Sequence, residues 1–256
     1  MFKNLYQYRE LLKSNVKKEI RGKYKGSFLG ILWSFVNPLL QVLVYAIVFP
    51  IILKSPEPNY VVFLIIGILP WTWFTTSLSQ GTFTILGNAG IIKKVYFPRE
   101  ILPISVVTSG LINFLISCLI IFAFLIFSGI GFSGYLIYLP LVILAQYIIT
   151  LGIVFITSAI NVYIRDAEYI INFIVNMLFY ATPILYSPDV FAGTKFSAII
   201  KFNPLATIIN SYRDILYHQT LPDLKMLALV LITGLVILLI GIQVFRKLER
   251  RFAEEV

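Results

Sequence analysis

Charge is absent from six long runs of this chain, and that segregation limits what it can fold into. The runs are 28–53, 61–87, 101–128, 136–163, 169–186 and 226–245, and all 33 charged residues lie between or beyond them. A bilayer core asks for about 20 apolar residues per helix, so each run is long enough, or nearly so, to cross. With 59% hydrophobic and 13% charged residues, and a mean hydropathy of +0.88, a soluble fold could not cover its own apolar surface. Backbone groups in lipid must pair within their own segment, and six such runs are too few and too apolar for a closed barrel. The sequence therefore predicts an all-α membrane protein with six transmembrane helices. Prolines 38, 50, 70, 103, 140 and 183 fall in or beside the runs as expected kinks. Cys118, the one cysteine, excludes an intrachain disulfide. The first apolar run follows a long charged arm and is too long for the core of a cleavable signal.

Charge also sets orientation. Counting alternate sides from the N-terminus, 16 Lys/Arg fall on the first side and 5 on the other, with net charges of +8 and +1. The excess of cations marks the cytoplasmic side, which places both termini there. The net charge of +9 is thus a signal of topology, and nucleic acid is not needed to explain it.

Residues 1–27 form a separate unit. Tyr8, Leu12, Val16, Ile20 and Tyr24 make an i,i+4 row, joined by Leu5 and Leu11, while Arg9, Lys13, Lys17, Lys18 and Arg21 occupy the rest of the helix. This is the pattern of an amphipathic helix in the cytoplasmic interface, with packing on a partner as its rival. Lys17, Lys18, Arg21, Lys23 and Lys25 form a basic entrance just before the first span, and residues 28–256 are the six-span body.

Two absences narrow function. No Asp, Glu, Lys, Arg or His lies inside a span, whereas ion-coupled transporters place an ionisable group at membrane depth. No GxxxxGK[ST] occurs, since Gly22-Lys23 is followed by Tyr, so ATP hydrolysis by a P-loop would have to come from another subunit. The chain itself is expected to bind no cofactor or metal and to carry no catalytic residue.

The loops show where such a subunit could dock. Asn88 to Glu100 mixes cations with Ile91, Ile92, Val95, Tyr96 and Phe97, more apolar than a plain topogenic loop requires. A short amphipathic helix parallel to the membrane would use both classes. Tyr163 to Glu168 is a tight turn in which Arg165 and Asp166 are expected to neutralise each other. On the other side, 187–225 holds Leu205, Ile208, Ile209, Tyr212, Ile215 and Leu216 at helical spacing after Asn203-Pro204. It reads as one or two short helices resting at, or re-entering, the outer leaflet, with Arg213-Asp214 keeping one edge wet. A rigid cap and a gate over an exit pathway are both open. Trp33, Tyr45, Trp71, Trp73, Phe74, Tyr180 and Tyr186 suit either an interfacial belt or a pathway lined with rings.

Arg21 to Leu40, the Lys93-Lys94-Val95-Tyr96-Phe97-Pro98-Arg99-Glu100 segment, the Tyr163 to Asp166 turn and Thr182-Pro183-Ile184-Leu185-Tyr186 together resemble permease subunits of ABC exporters for bacterial surface polysaccharides, those of O antigen, capsule and teichoic acid. The likeness covers nearly the whole chain. It implies a multi-pass protein of the bacterial cytoplasmic (inner) membrane, two copies of which form the channel. Two ATPase subunits, holding ATP and Mg, would bind below. A coupling helix would map onto Asn88 to Glu100, and the cargo would be a glycan on a polyprenyl-diphosphate lipid, O antigen foremost. Exporters of drugs or other lipids are the near alternative. A membrane enzyme acting on lipid-linked sugars is the distant one, but Glu57, Asp189, Asp214, His218 and Asp223 lack catalytic spacing. A purely structural scaffold is the third.

Overall fold

The computed structural model describes residues 6–22, 28, 30–53, 57–191, 193–194, 200 and 202–256, and all regular structure among them is helical. The order is α1 (Arg9–Gly22), a 3₁₀ turn (Gly30–Leu32), α2 (Trp33–Leu53), α3 (Tyr60–Gly87), the one-turn α4 (Ala89–Ile92) and α5 (Ile101–Phe127). A 3₁₀ turn (Gly134–Tyr138) leads into α6 (Leu139–Tyr163), then α7 (Ala167–Ala181) and a 3₁₀ turn (Pro188–Phe191). The chain ends with α8 (Pro204–Leu216), α9 (Leu224–Leu248), a 3₁₀ turn (Glu249–Arg251) and α10 (Phe252–Glu255). Four segments, Tyr60–Gly87, Ile101–Phe127, Gly134–Tyr163 and Leu224–Arg251, are long and apolar enough to cross a membrane, while Val36–Phe49 within α2 and α7 are apolar but shorter.

The short α7 has a local cause. Its 15 residues reach about 22 Å, less than the roughly 30 Å of a bilayer core. The uncharged run continues to 186, but Thr182 precedes Pro183, whose ring disfavours the α conformation in the residue before it. Thr182 is accordingly extended (φ −106°, ψ 135°), and the chain turns away.

The central helix is α3, which packs against α2, α5, α6 and α8. It is apolar on most faces and largely buried, as a core helix must be. Pro70 removes one bond from its hydrogen-bond ladder, and side chains add others nearby: Gln146 Nε2 donates to the Pro70 carbonyl at 2.8 Å and Thr72 Oγ1 to that of Ile68 at 2.8 Å. The most extensive pairing joins α6 to α9. There the backbones touch: a Cβ at Gly152 would lie 2.7 Å from Leu238 N, and one at Gly241 2.5 Å from Gly152 O. Small residues that admit close helix contact are the usual means of association in lipid.

One end of the bundle, here the near end, gathers α1, the 88–100 segment and the C-terminal residues. Lys18 Nζ donates to Asn88 Oδ1 at 2.9 Å, and Arg246 Nε pairs with Glu100 Oε1 at 2.8 Å. The apolar row of α1 lies against α5, with Leu12, Val16 and Ile20 beside Thr108 and Ile112. The helix thus has a partner within its own chain. Lys23 and Lys25 lie outside the described residues.

At the far end lies α8. It packs against α3, α6 and α9, and its side chains are buried around most of its circumference, so it is embedded in the bundle rather than laid upon it. Asn203 caps its start by accepting from Leu205 N at 3.0 Å and donating to Thr182 Oγ1 at 2.9 Å.

Candidate functional site

A groove of about 680 Å³ runs between α2, α3 and α7. From α3 it takes Thr72, Thr75, Thr76, Ser79 and Gln80; from α7, Asn172 and Asn176; from α2, Gln41. These positions share one helical stripe on each element, so a polar band lines the groove on helices that are otherwise apolar. Rings close the same space. Tyr45, Trp71, Phe179 and Tyr180 line it, with Phe179 the hub: its ring lies 5.9 Å from Tyr45, 5.8 Å from Trp71 and 5.3 Å from Tyr180. No charged side chain lines the groove among the described residues. Amides and hydroxyls here offer hydrogen bonds without the cost of a fixed charge in low dielectric, and the rings offer stacking faces.

The seven aromatics proposed from sequence separate. Tyr45, Trp71 and Tyr180 meet at the groove. Trp73 turns to the opposite flank of α3, stacked on Phe114 at 5.1 Å, and Phe74 is buried beside Trp71. Burial within the chain removes Trp71, Trp73 and Phe74 from a lipid-facing belt. Trp33 is exposed at the start of α2, and Tyr186 Oη donates to the Tyr180 carbonyl at 2.7 Å. The polar stripe holds no ionisable group to mark it in the sequence. Its signal was the recurrence of Thr, Ser and Gln at 72, 75, 76, 79 and 80, matched by Asn172 and Asn176 one turn apart.

At the near end, the 88–100 segment divides into two faces. Its helix is a single turn, shorter than the amphipathic helix expected, and the chain from Val95 to Pro98 is irregular. Ile92 and Phe97 are buried and fasten the segment to the bundle, while Ile91, Lys93, Lys94, Val95 and Tyr96 project outward, Tyr96 at 91% exposure. Pro98 and Arg99 are half-buried. Arg99 Nη1 donates to the Glu249 carbonyl, and its guanidinium lies 6.0 Å from the centre of the Phe252 ring. Glu100 is buried and bound by Arg246. The segment is therefore fixed to the end of α9 by two adjacent residues.

Arg165 and Asp166 are both exposed at the α6–α7 turn. Among the described residues they form no ion pair with each other, contrary to the expected neutralisation. Adjacent side chains at the start of a helix point apart, and Asn161 secures the turn instead. Its Oδ1 accepts from Glu168 N at 3.1 Å, and its Nδ2 donates to the Thr82 carbonyl at 3.2 Å. Arg21, Lys17 and Lys18 lie on α1, where Lys17 and Arg21 border the cleft against α5.

The far end holds the largest correction. Arg213, expected at a wet edge, is only 2% exposed. Its guanidinium donates to the carbonyls of Pro183 and Ile184, the latter at 2.6 Å, and sits 3.5 Å from the centre of the Phe63 ring. These carbonyls lie in the turn that follows α7, outside any helix ladder, and they solvate the charge, which is why an arginine can be enclosed here. Gly67 makes the space, since a Cβ there would meet Arg213 Nη2 at 2.9 Å. Tyr212 is buried too, its ring edge-on to Phe114 at 5.8 Å, while Asp214 is half-buried. Burial raises the Asp214 carboxyl, with His218 opposing and Asp223 adding. Pro204 opens α8 as its first helical residue.

Comparison with known proteins matches residues 10–217 to the family described as ABC-2 type transporter. The O-antigen export system permease protein RfbA of Klebsiella pneumoniae is 38% identical over 252 residues, covering 98% of this chain and 96% of that protein. Its counterpart of the same name from Myxococcus xanthus is 35% identical over 257 residues, covering 100% of this chain and 99% of that protein.

Proposed function

The chain belongs to the ABC-2 type transporter family, and from that premise we propose that it is the membrane subunit of an ATP-driven exporter of lipid-linked surface polysaccharide, O antigen foremost. The groove carries this reading. A glycan path needs hydroxyl and amide partners, ring faces and no charge that would arrest a long polymer. Gln41, Thr72, Thr75, Thr76, Ser79, Gln80, Asn172 and Asn176, with Trp71, Tyr45 and Tyr180, supply that combination. A groove open along one side is half a channel, so a second copy is proposed to close it.

In this reading the near end is cytoplasmic, α2, α3, α5, α6, α7 and α9 are the six spans, and the protein sits in the bacterial inner membrane. The exposed face of 91–96 receives a separate ATPase subunit, one per copy, which supplies ATP hydrolysis. Closure of the ATPase pair pushes Tyr96 and its neighbours. The fixed contacts of Arg99 and Glu100 then pass the displacement to α5 and α9 together. The basic residues of α1 face the anionic headgroups and the incoming diphosphate. Embedded α8 closes the far end until polymer arrives.

The test is deletion of the gene followed by complementation. Wild-type chain is expected to restore surface glycan to a mutant that holds lipid-linked polymer inside. An Asn172→Leu/Asn176→Leu variant, present in the membrane at normal level, is expected to restore much less. Unchanged surface glycan on deletion would overturn the cargo. Full complementation by the double variant would overturn the groove as the path.

A further inference from the structure

Two spaces along α5 adjoin to form a seam. One is the cleft of about 410 Å³ between α1 and α5, and the other is a groove of about 660 Å³ between α5 and α6. No residue lines both this seam and the polar groove of α2, α3 and α7. The two spaces meet where Thr108 of the first and Tyr147 of the second share a hydrogen bond of 2.9 Å. Their hydroxyls satisfy each other, so apolar surface continues past the junction.

Charge is confined to the α1 side of the seam. Lys13, Lys17 and Arg21 follow one another at i,i+4 spacing, each next to a residue of the apolar row Leu12, Val16 and Ile20, and both rows border the cleft. All three cations are exposed. Lys13 donates to Glu10 at 2.9 Å, whereas Lys17 and Arg21 have no carboxylate partner among the described residues. Glu19, the acid nearest them in the sequence, borders a different, small cavity between α3 and α5. Neither α5 nor α6 contains a charged residue.

Beyond the junction the lining is apolar. Leu111 and Leu115 of α5 line the groove with Ile143 and Leu144 of α6, and Leu115 and Leu144 remain 47% and 50% exposed. Phe122, edge-on to Phe132 at 5.6 Å, and Leu136 border its far end. From Leu111 to Phe122 the helix rises about 16 Å, close to half of the roughly 30 Å hydrocarbon core. Cations at one end and an apolar channel one leaflet deep select the occupant. A free anion would leave the channel empty, and an uncharged lipid would leave Lys17 and Arg21 without a counter-charge.

We propose that the seam binds a glycerophospholipid with an anionic headgroup, its phosphate beside Lys17 and Arg21 and one acyl chain between α5 and α6. The lipid tethers α1 to the spans, and it does so whatever the chain exports.

The full chain, delipidated in detergent and measured by native mass spectrometry, provides the test. Offered equal amounts of phosphatidylglycerol and phosphatidylcholine with the same acyl chains, it is expected to retain the first about tenfold or more over the second. Each Lys or Arg beside an anionic lipid contributes about fivefold. That comparison needs no substitution. Lys17→Ala/Arg21→Ala is expected to bring phosphatidylglycerol down to the level of phosphatidylcholine. Leu115→Trp/Leu144→Trp, at positions open enough to take the larger ring, is expected to lower both lipids severalfold by filling the groove. Equal retention of the two lipids, a charge variant that still discriminates, or a groove variant that binds as wild type would each overturn the proposal. So would displacement of phosphatidylglycerol by an equal amount of inorganic phosphate, which means a headgroup site without a seam. Preference for an equal amount of polyprenyl diphosphate would give the cations to the anchor of the cargo, and would overturn it too.

Discussion

Arg213 shows most clearly how a single residue can reverse its expected place. Beside Asp214 in a sequence it reads as a surface charge, because nothing in the local pattern announces the carbonyls of Pro183 and Ile184 that lie about thirty positions earlier. Thr182-Pro183 is a local hint, since a proline disfavours the helical conformation in the residue before it. Replacing the arginine by methionine keeps the bulk and strands those carbonyls, at about 1–3 kcal/mol each. Arg213→Met is therefore expected to lower the thermal midpoint of the detergent-solubilised protein well below that of Arg213→Lys, which retains a donor. Asp214 offers a complementary test of sign. Its carboxyl is raised in the folded state, so folding binds protons more strongly than the unfolded chain does. Stability then falls as pH rises from the ordinary carboxylate range through the folded value, and the loss is complete above it. Asp214→Asn is expected to flatten that slope and raise the thermal midpoint at neutral pH. A steeper slope in the variant would contradict the burial that causes the shift.

Elements were read unevenly, and the reasons are physical. Long apolar helices announce themselves by length alone, and α3, α5, α6 and α9 begin and end within a few residues of the uncharged runs. The amphipathic α1 was equally plain, but its row of apolar residues looks the same whether it meets lipid or α5, so its partner was invisible. The groove was missed as a site because Thr, Ser, Gln and Asn carry no charge to interrupt hydropathy, although their helical stripe was present. The 88–100 segment was found by composition, yet its division into buried and outward residues depends on α9, some 150 positions away. That long-range fastening is measurable. Glu100→Ala and Arg246→Ala are each expected to expose the C-terminal residues to protease, and the double variant to be no worse than Glu100→Ala alone. A charged hydrogen bond of this kind contributes about 1.5–3 kcal/mol, which the double-mutant cycle isolates. Additive effects would mean that the two residues act separately.

At the scale of the whole molecule, the chain divides its work between a rigid pair and an open side. α6 and α9, locked backbone to backbone, form a fixed wall, whereas α2 and α7 hold the groove with fewer contacts to the rest. Gly152→Ala is expected to separate the wall, at about 1–3 kcal/mol or more, and to reduce the amount of folded protein recovered from membranes. Recovery at wild-type level would show that α9 can slide to make room. This seam also has a consequence for heritable variation. The atoms that a side chain at 152 would strike are Leu238 N and Cα, and the atom facing position 241 is Gly152 O. Every amino acid carries those atoms, so no substitution on the opposite helix can make room for a larger residue. Ordinary core contacts drift by paired exchange, one side shrinking as the other grows. Here that route is closed, and a selection for second-site suppressors of Gly152→Ala should return true revertants, or changes remote enough to move a helix bodily, but none among the residues that touch it.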